Sequence, residues 1–197
     1  MGKKSLITQA RIIDTAMDLF LEKGYDGVKM QELADRAGVN KGLLHHYFNN
    51  KQTLFNTIFS EAFNQLFGKI GSILAAASTL EEKINAIIDS YFDLLLANPR
   101  LPVFVLFELN RDPAYLEKMF TNERLPLFIR GLQHGNSHIT RQKAMHIILT
   151  IVSLSVFPFM ARPIVMKITR GEAGFVRLIN ERRPLVKTVV KNLIKAL

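Results

Sequence analysis

The stretch Met30–Lys51, MQELADRAGVNKGLLHHYFNNK, decides how the rest of the chain is read. Met30, Leu33, Ala34 and Ala37 recur at i, i+3, i+4 and i+7, which places apolar groups along one side of a short helix. Gly38-Val39-Asn40 breaks that pattern. Glycine enters the left-handed region that ends a helix without steric cost, and asparagine is a good N-cap for the helix that follows. Leu44, Tyr47 and Phe48 restart the stripe. A helix, a tight glycine turn and a second short helix together predict a helix-turn-helix. The second helix buries Leu44 and Phe48 and turns Lys41, Gly42, Leu43, His45 and His46 outward, with Lys51 just beyond. One cation, two imidazoles and a glycine that lets a backbone come close make a face suited to a major groove about 12 Å wide. The plain alternative is an αα-corner with a solvated polar face. The ordered string GVNKGLLHHYFNNKQTL, together with its upstream partner, favours the first reading.

Working outward, Thr8 is the expected cap of a first helix reaching about Lys23, with Ile12, Ile13, Ala16, Leu19 and Phe20 on its apolar side and Gly24 at its end. Lys51 to about Gly71 reads as a longer helix carrying Leu54, Ile58, Phe59, Ala62, Leu66 and Ile70. Residues 1–50 are thus the expected helix-turn-helix domain, helix 51–71 connects it, and 72–197 form a second helical domain. Thr79-Leu80-Glu81-Glu82 has the form of a capping box opening a helix that ends at Asn98-Pro99. Leu101–Asn110 is densely apolar, and Asp112-Pro113 starts another helix with Leu116, Met119 and Phe120, interrupted at Pro126. Thr140 to Pro158 is helical and strongly apolar, and Phe175–Leu197 is a last amphipathic helix with Pro184 inside it. No alternation bounded by hairpin turns and no 20–50-residue repeat occurs, so the fold class is all-α.

The chain has 197 residues, 48% of them hydrophobic, which is enough for one large or two small helical domains. It has no Cys, which excludes disulfides, a thiol nucleophile and thiolate metal ligands and fits a cytoplasmic setting. The N-terminal MGKKSLITQARIID has no apolar run of signal-peptide length and misses the myristoylation pattern at Leu6. The net charge of +9 suggests a polyanionic partner, but its distribution does not point at the reading head. Residues 1–70 hold nine Lys/Arg against seven Asp/Glu, whereas residues 162–197 hold nine against two.

At GVNKGLLHHYFNNKQTL, and upstream at GYDGVKMQELADRAG, the sequence resembles the tetracycline-repressor (TetR) family of bacterial regulators. The close similarity covers about Thr8 to Leu54; beyond it the likeness is architectural. The resemblance implies a homodimeric, ligand-responsive DNA-binding regulator whose partners are a double-stranded operator and a small-molecule effector. It implies that Lys29 and Gln31 meet phosphate or a base, that Lys41, Gly42, Leu43 and His45 face the groove, and that Tyr47 and Lys51 hold phosphates. Asn40 and His46 complete the candidate interface, His46 standing between DNA contact and helix packing. Leu43 and His45 depart from the family's frequent Thr and Tyr; Leu43 can touch a thymine methyl but donates no hydrogen bond, so base preference should differ. The last two helices of each subunit would form a four-helix dimer interface, and a palindromic operator would take two heads. An apolar or amphipathic effector would release the expected repressor.

Other features carry their own alternatives. Ala144–Ala161 runs 18 residues without Lys, Arg, Asp or Glu, the lower edge of a membrane-span signal. A helix buried between its own core and a dimer partner explains it more simply, and no membrane partner is expected; a lipid-binding or membrane-associated protein is the competing reading. Glu108, the one acid within Val103–Leu109, is either a counter-ion in an apolar cavity or an i, i+3 partner of Arg111, and the pair is favoured. Phe63, Phe67, Phe104, Phe107 and Glu108 are the candidate ligand-pocket residues, though most of the aromatics suit a core equally well. His134 and His138 have helical metal-pair spacing, but Gly135-Asn136-Ser137 between them breaks a helix and no further ligand is near, so no metal and no cofactor is expected. No nucleophile elbow, phosphate loop or HExxH appears, and nothing points to catalysis.

Overall fold

The computed structural model describes residues 3–76, 78–114, 117 and 124–197, with the side chains of residues 3, 4, 59, 61–63, 65 and 66 outside the description. Its helices are α1 (Lys3–Gly27), α2 (Met30–Arg36), α3 (Lys41–Tyr47), α4 (Lys51–Ala75), α5 (Leu80–Ala97), α6 (Leu101–Arg111), α7 (Arg124–Gln133), α8 (Arg141–Met160), α9 (Arg162–Ile168) and α10 (Glu172–Ala196). Among the described residues there is no strand. The fold is all-α. The chain divides into two compact units, residues 1–64 and 65–197, and α4 contributes to both.

In the first unit the apolar stripes read from sequence meet. Ile12, Ala16, Leu19, Leu33, Ala34, Leu44 and Leu54 are wholly buried, and Phe20 and Tyr25 stand edge-on to Phe55 with ring centroids 5.2 and 5.1 Å away. Gly24 breaks the regular course of α1 at φ +69°, a conformation that side-chain-bearing residues rarely adopt. The helix begins at Lys3 rather than at Thr8, which lies inside it. The extra turn gains little from burial, since Leu6 and Ile7 are exposed. It is held instead by a contact the local pattern does not encode: the Tyr47 hydroxyl of α3 donates to Ser5 Oγ at 3.0 Å.

In the second unit, the capping box at Thr79 is complete. The Glu82 amide donates to Thr79 Oγ1 at 3.2 Å, and the Thr79 amide donates back to the Glu82 carboxylate at 2.8 Å. The Thr79 amide, and the Thr79 hydroxyl at 2.8 Å, donate to the Glu82 carboxylate and hold it below its usual range. α5 packs with α8 and α10, burying Ile84, Ile87, Ile88 and Phe92 with Ala144, Ile147, Ile151, Ile179 and Val190. A ladder of ion pairs runs antiparallel along α5 and α10: Asp93 with Arg183 at 2.5 Å, Asp89 with Lys187 at 2.7 Å and Glu81 with Lys191 at 2.6 Å. Three of the nine Lys/Arg of residues 162–197 are therefore turned onto α5. Pro126 lies in the first turn of α7, where a missing N–H costs nothing; of the helix expected before it, Pro113, Ala114 and Glu117 are helical, and Leu116, Met119 and Phe120 lie outside the described residues.

α8 is long and apolar enough to cross a membrane, and only a third of that window is buried in the protomer. Leu149, Val152 and Phe157 of α8 and Leu178, Leu185 and Val189 of α10 are exposed, as are Ile164 and Ile168 of the short helix between them. The helix thus has one side in its own core and an apolar side left open.

Candidate nucleic-acid interface

The reading head is built by a turn that both ends secure. Gly38 takes φ +63°, and its amide donates to the Asp35 carbonyl at 3.1 Å, ending α2. Asn40 opens α3 as its N-cap, its Oδ1 accepting from the Leu43 amide at 2.7 Å. Leu44 and Phe48 are buried, so the rotation of α3 about its own axis is set from below. Lys41, Gly42, His45 and His46 are consequently exposed and Leu43 half-exposed, as the periodicity predicts. A Cβ on Gly42 would meet nothing closer than Asn40 Oδ1 at 3.4 Å, so the chain itself does not require glycine there.

The supporting residues divide by what they already do. Lys29 precedes α2 in extended conformation, and its side chain, like that of Lys41, has no hydrogen-bond or ion-pair partner among the described residues. Gln31 donates to Asp35 at 2.9 Å along the same helix. His45 Nδ1 lies 2.8 Å from the Asn49 carbonyl oxygen, which fixes the ring's orientation, and His46 meets the Tyr47 ring edge-on at 5.6 Å. Lys51 donates to the carbonyls of Tyr25 and Val28 at 2.9 and 3.1 Å and lies 4.4 Å from the Tyr25 ring centroid. Two of its three N–H bonds are thus engaged inside the module. Below the head, Arg36 grips Glu22 through two hydrogen bonds of 2.6 Å, which lowers the Glu22 carboxyl and raises the guanidinium.

The expected ligand-pocket residues do not gather. Phe104 is buried in the core at 1% exposure, Phe107 is 53% exposed, and Phe67 lies under the Arg124 guanidinium at 5.0 Å. The Phe63 side chain lies outside the described residues. Glu108 is buried, yet Arg111 donates to both of its oxygens at 2.6 and 2.7 Å, so the carboxylate is the helix-end partner rather than a waiting counter-ion. A cleft of about 740 Å³ opens elsewhere, lined by the end of α4, the start of α5 and one face of α7, and none of those five residues borders it. His134 lines this cleft, while Gly135, at φ +74°, ends the run of α7 before His138, so the two histidines do not share a helix face.

With this geometry in place, residues 12–58, which include the whole helix-turn-helix, match the model of the bacterial regulatory proteins of the tetR family. The chain belongs to the TetR family. It is a DNA-binding transcriptional regulator. This TetR-family protein is 29% identical to the fatty acid metabolism regulator protein of Bacillus subtilis over 132 residues, which are 64% of this chain and 68% of that one. It is 28% identical to the transcriptional repressor KstR2 of Rhodococcus jostii over 49% of this chain and 47% of that one, so the chain spans about half the length of that repressor. It shares the fold of the regulator FadR from Bacillus subtilis, solved in complex with stearoyl-CoA, with a TM-score of 0.65 at 23% identity over 90% of this chain and 96% of that one.

The lining of the cleft in this TetR-family regulator was not found by sequence reasoning. A signal existed: Lys83 stands in register with Ile87 and Leu94 on the buried side of α5, where a cation is out of place.

Proposed function

We propose that the chain acts as a homodimeric repressor in the cytoplasm, placing two copies of α3 in successive major grooves of a palindromic operator, about 34–36 Å apart. The observation that carries this is the α3 face: a cation, a glycine the fold does not need and two imidazoles stand outward on a helix clamped by Leu44 and Phe48. Lys41, Gly42, Leu43 and His45 read base edges, with Leu43 against a thymine methyl. Lys29, Gln31, Tyr47 and Lys51 meet phosphates, and Asn40 and His46 flank them. Lys51 contributes chiefly by holding the module, given its two carbonyl partners.

Dimerisation runs through α8 and α10, whose exposed Leu149, Phe157, Leu185 and Val189 cover one another in an isologous two-fold contact. This also supplies the second buried side of α8, in place of a membrane. The effector is an amphipathic molecule of the acyl-thioester class, supported by the stearoyl-CoA complex of the structurally similar regulator and by the fatty acid relative. It lowers DNA affinity by coupling, typically about 1–3 kcal/mol. A gel shift over fragments from upstream of the neighbouring genes tests the reading. Binding should weaken steeply with salt and be lost when Lys29 and Lys41 are both replaced by alanine, since neither has an internal partner to lose. Unchanged binding by that folded variant would overturn the assignment.

A further inference from the structure

Lys83 is 5% exposed, and its side chain has no hydrogen-bond or ion-pair partner among the described residues. Its Nζ is not among the buried atoms left without a partner, so the stem is packed away while the ammonium reaches the open space beside it. It lines the 740 Å³ cleft, and the other cationic or ionisable groups lining that cleft are Arg130 and His134. Arg130 is on α7, on the face that also carries Leu127 and Gly131, and His134 follows directly after the helix's last residue. Among the described residues neither side chain has a polar partner and no carboxylate lines the cleft. The acids nearest in sequence are drawn elsewhere: Glu81 pairs with Lys191, and Glu82 is held in the capping box. The N-terminus of the 18-residue α5 borders the same space and adds the positive end of its dipole. Leu74, Ala75, Leu80 and Leu127 give the remaining wall its apolar part, beside Ser78, Thr79 and Asn136.

We propose that Lys83, Arg130 and His134 seat the anionic head, a phosphate or a carboxylate, of an amphipathic effector, whose apolar chain lies against Leu74, Leu80 and Leu127. This rests on the ligand-responsive reading and deepens it by naming the place and the charge. Arg130 supplies a planar fork and Lys83 a point charge, a combination that suits oxyanions and gives nothing to an uncharged alcohol. Gly131 lets α7 lie close against Leu74 of α4 at the border of the cleft, since a Cβ there would stand 2.6 Å from Leu74 Cδ1.

The test is calorimetric titration of the full chain with palmitoyl-CoA, decyl phosphate, decanoate and decanol. The anionic probes should bind and decanol should not; decyl phosphate against decanoate decides between phosphate and carboxylate, either supporting the seat. Lys83→Met and Arg130→Gln should each weaken anion binding by about tenfold or more, the loss of one charge-assisted contact. Lys83→Arg should retain it. The exposed Arg130 keeps the test open should Lys83→Met fold poorly. Equal binding of decanol and decyl phosphate, wild-type affinity in folded Arg130→Gln and Lys83→Met, or no anion binding by the wild type would each overturn the proposal. DNA release by palmitoyl-CoA that survives in both variants would leave the effector reading standing and remove only this location.

Discussion

Lys51, the first residue of α4, donates from its ammonium to the Val28 carbonyl oxygen at 3.1 Å, across 23 residues of chain. It closes the turn that leads into the reading head, and the Tyr25 carbonyl at 2.9 Å shares the work. A position expected to meet phosphate is therefore part of the scaffold that aims the phosphate-meeting groups. Lys51→Met should lower unfolding stability by about 1.5–3 kcal/mol, the range for hydrogen bonds to a charged group. Lys41→Ala should leave stability within about 0.5 kcal/mol of wild type while weakening operator binding. Urea unfolding beside gel shifts on both variants checks the contrast; equal stability in the two would show that the Lys51 contacts contribute nothing.

Asn40→Ala should destabilise the helix-turn-helix by about 1 kcal/mol, because the Leu43 amide loses the Oδ1 that caps α3. Asn40→Asp, which keeps an acceptor, should restore most of it. Amide exchange at Leu43 and Leu44 reads this locally, with faster exchange expected in the alanine variant alone.

Arg111→Met strands the Glu108 carboxylate at 2% exposure. Breaking a buried pair from one side typically costs about 3–5 kcal/mol. Replacing both residues together, with Glu108→Leu and Arg111→Met, should recover much of that loss. Thermal unfolding of the single and double variants distinguishes a buried pair from a dispensable surface contact, for which the single substitution would be silent.

Gly174→Ala tests a close approach at the start of α10. A Cβ at that position would fall 1.8 Å from the Thr169 carbonyl oxygen, far inside contact distance and against backbone that cannot swing aside. A shift of the α9–α10 junction costing about 1–3 kcal/mol is expected, comparable with overpacking in a core. Gly68→Ala, where a Cβ meets nothing within 4 Å, is the control and should be neutral or slightly stabilising in mid-helix.

The Glu82 carboxyl is lowered by the Thr79 amide and hydroxyl. Its folded pKa therefore lies below its unfolded value of 4.5, so its stabilising contribution is present above that pH and disappears as the pH falls through the folded value. Glu82→Gln should flatten that part of the acid limb and leave the neutral-pH limb unchanged in shape. Unfolding measured from pH 7 down to the acid transition checks the sign; a steeper limb in the variant would reverse it.

Local pattern alone determined the reading head. The stripe of Met30, Leu33, Ala34 and Ala37, the glycine at 38 and the cap at 40 act over a few residues, and the face opposite Leu44 and Phe48 follows from helical periodicity. The capping box at Thr79 and the Glu108–Arg111 pair were legible for the same reason, each spanning three residues. The cleft was not, because it is assembled from α4, α5 and α7, whose separation in sequence hides which faces meet. Tertiary packing put Phe104 into the core and left Phe107 outside, although both looked alike as apolar aromatics. It also brought Lys83 to the same open space as Arg130 and His134, and made Lys51 a strut. Periodicity specifies which side of a helix is buried, but the neighbour that buries it is set only when distant helices pack.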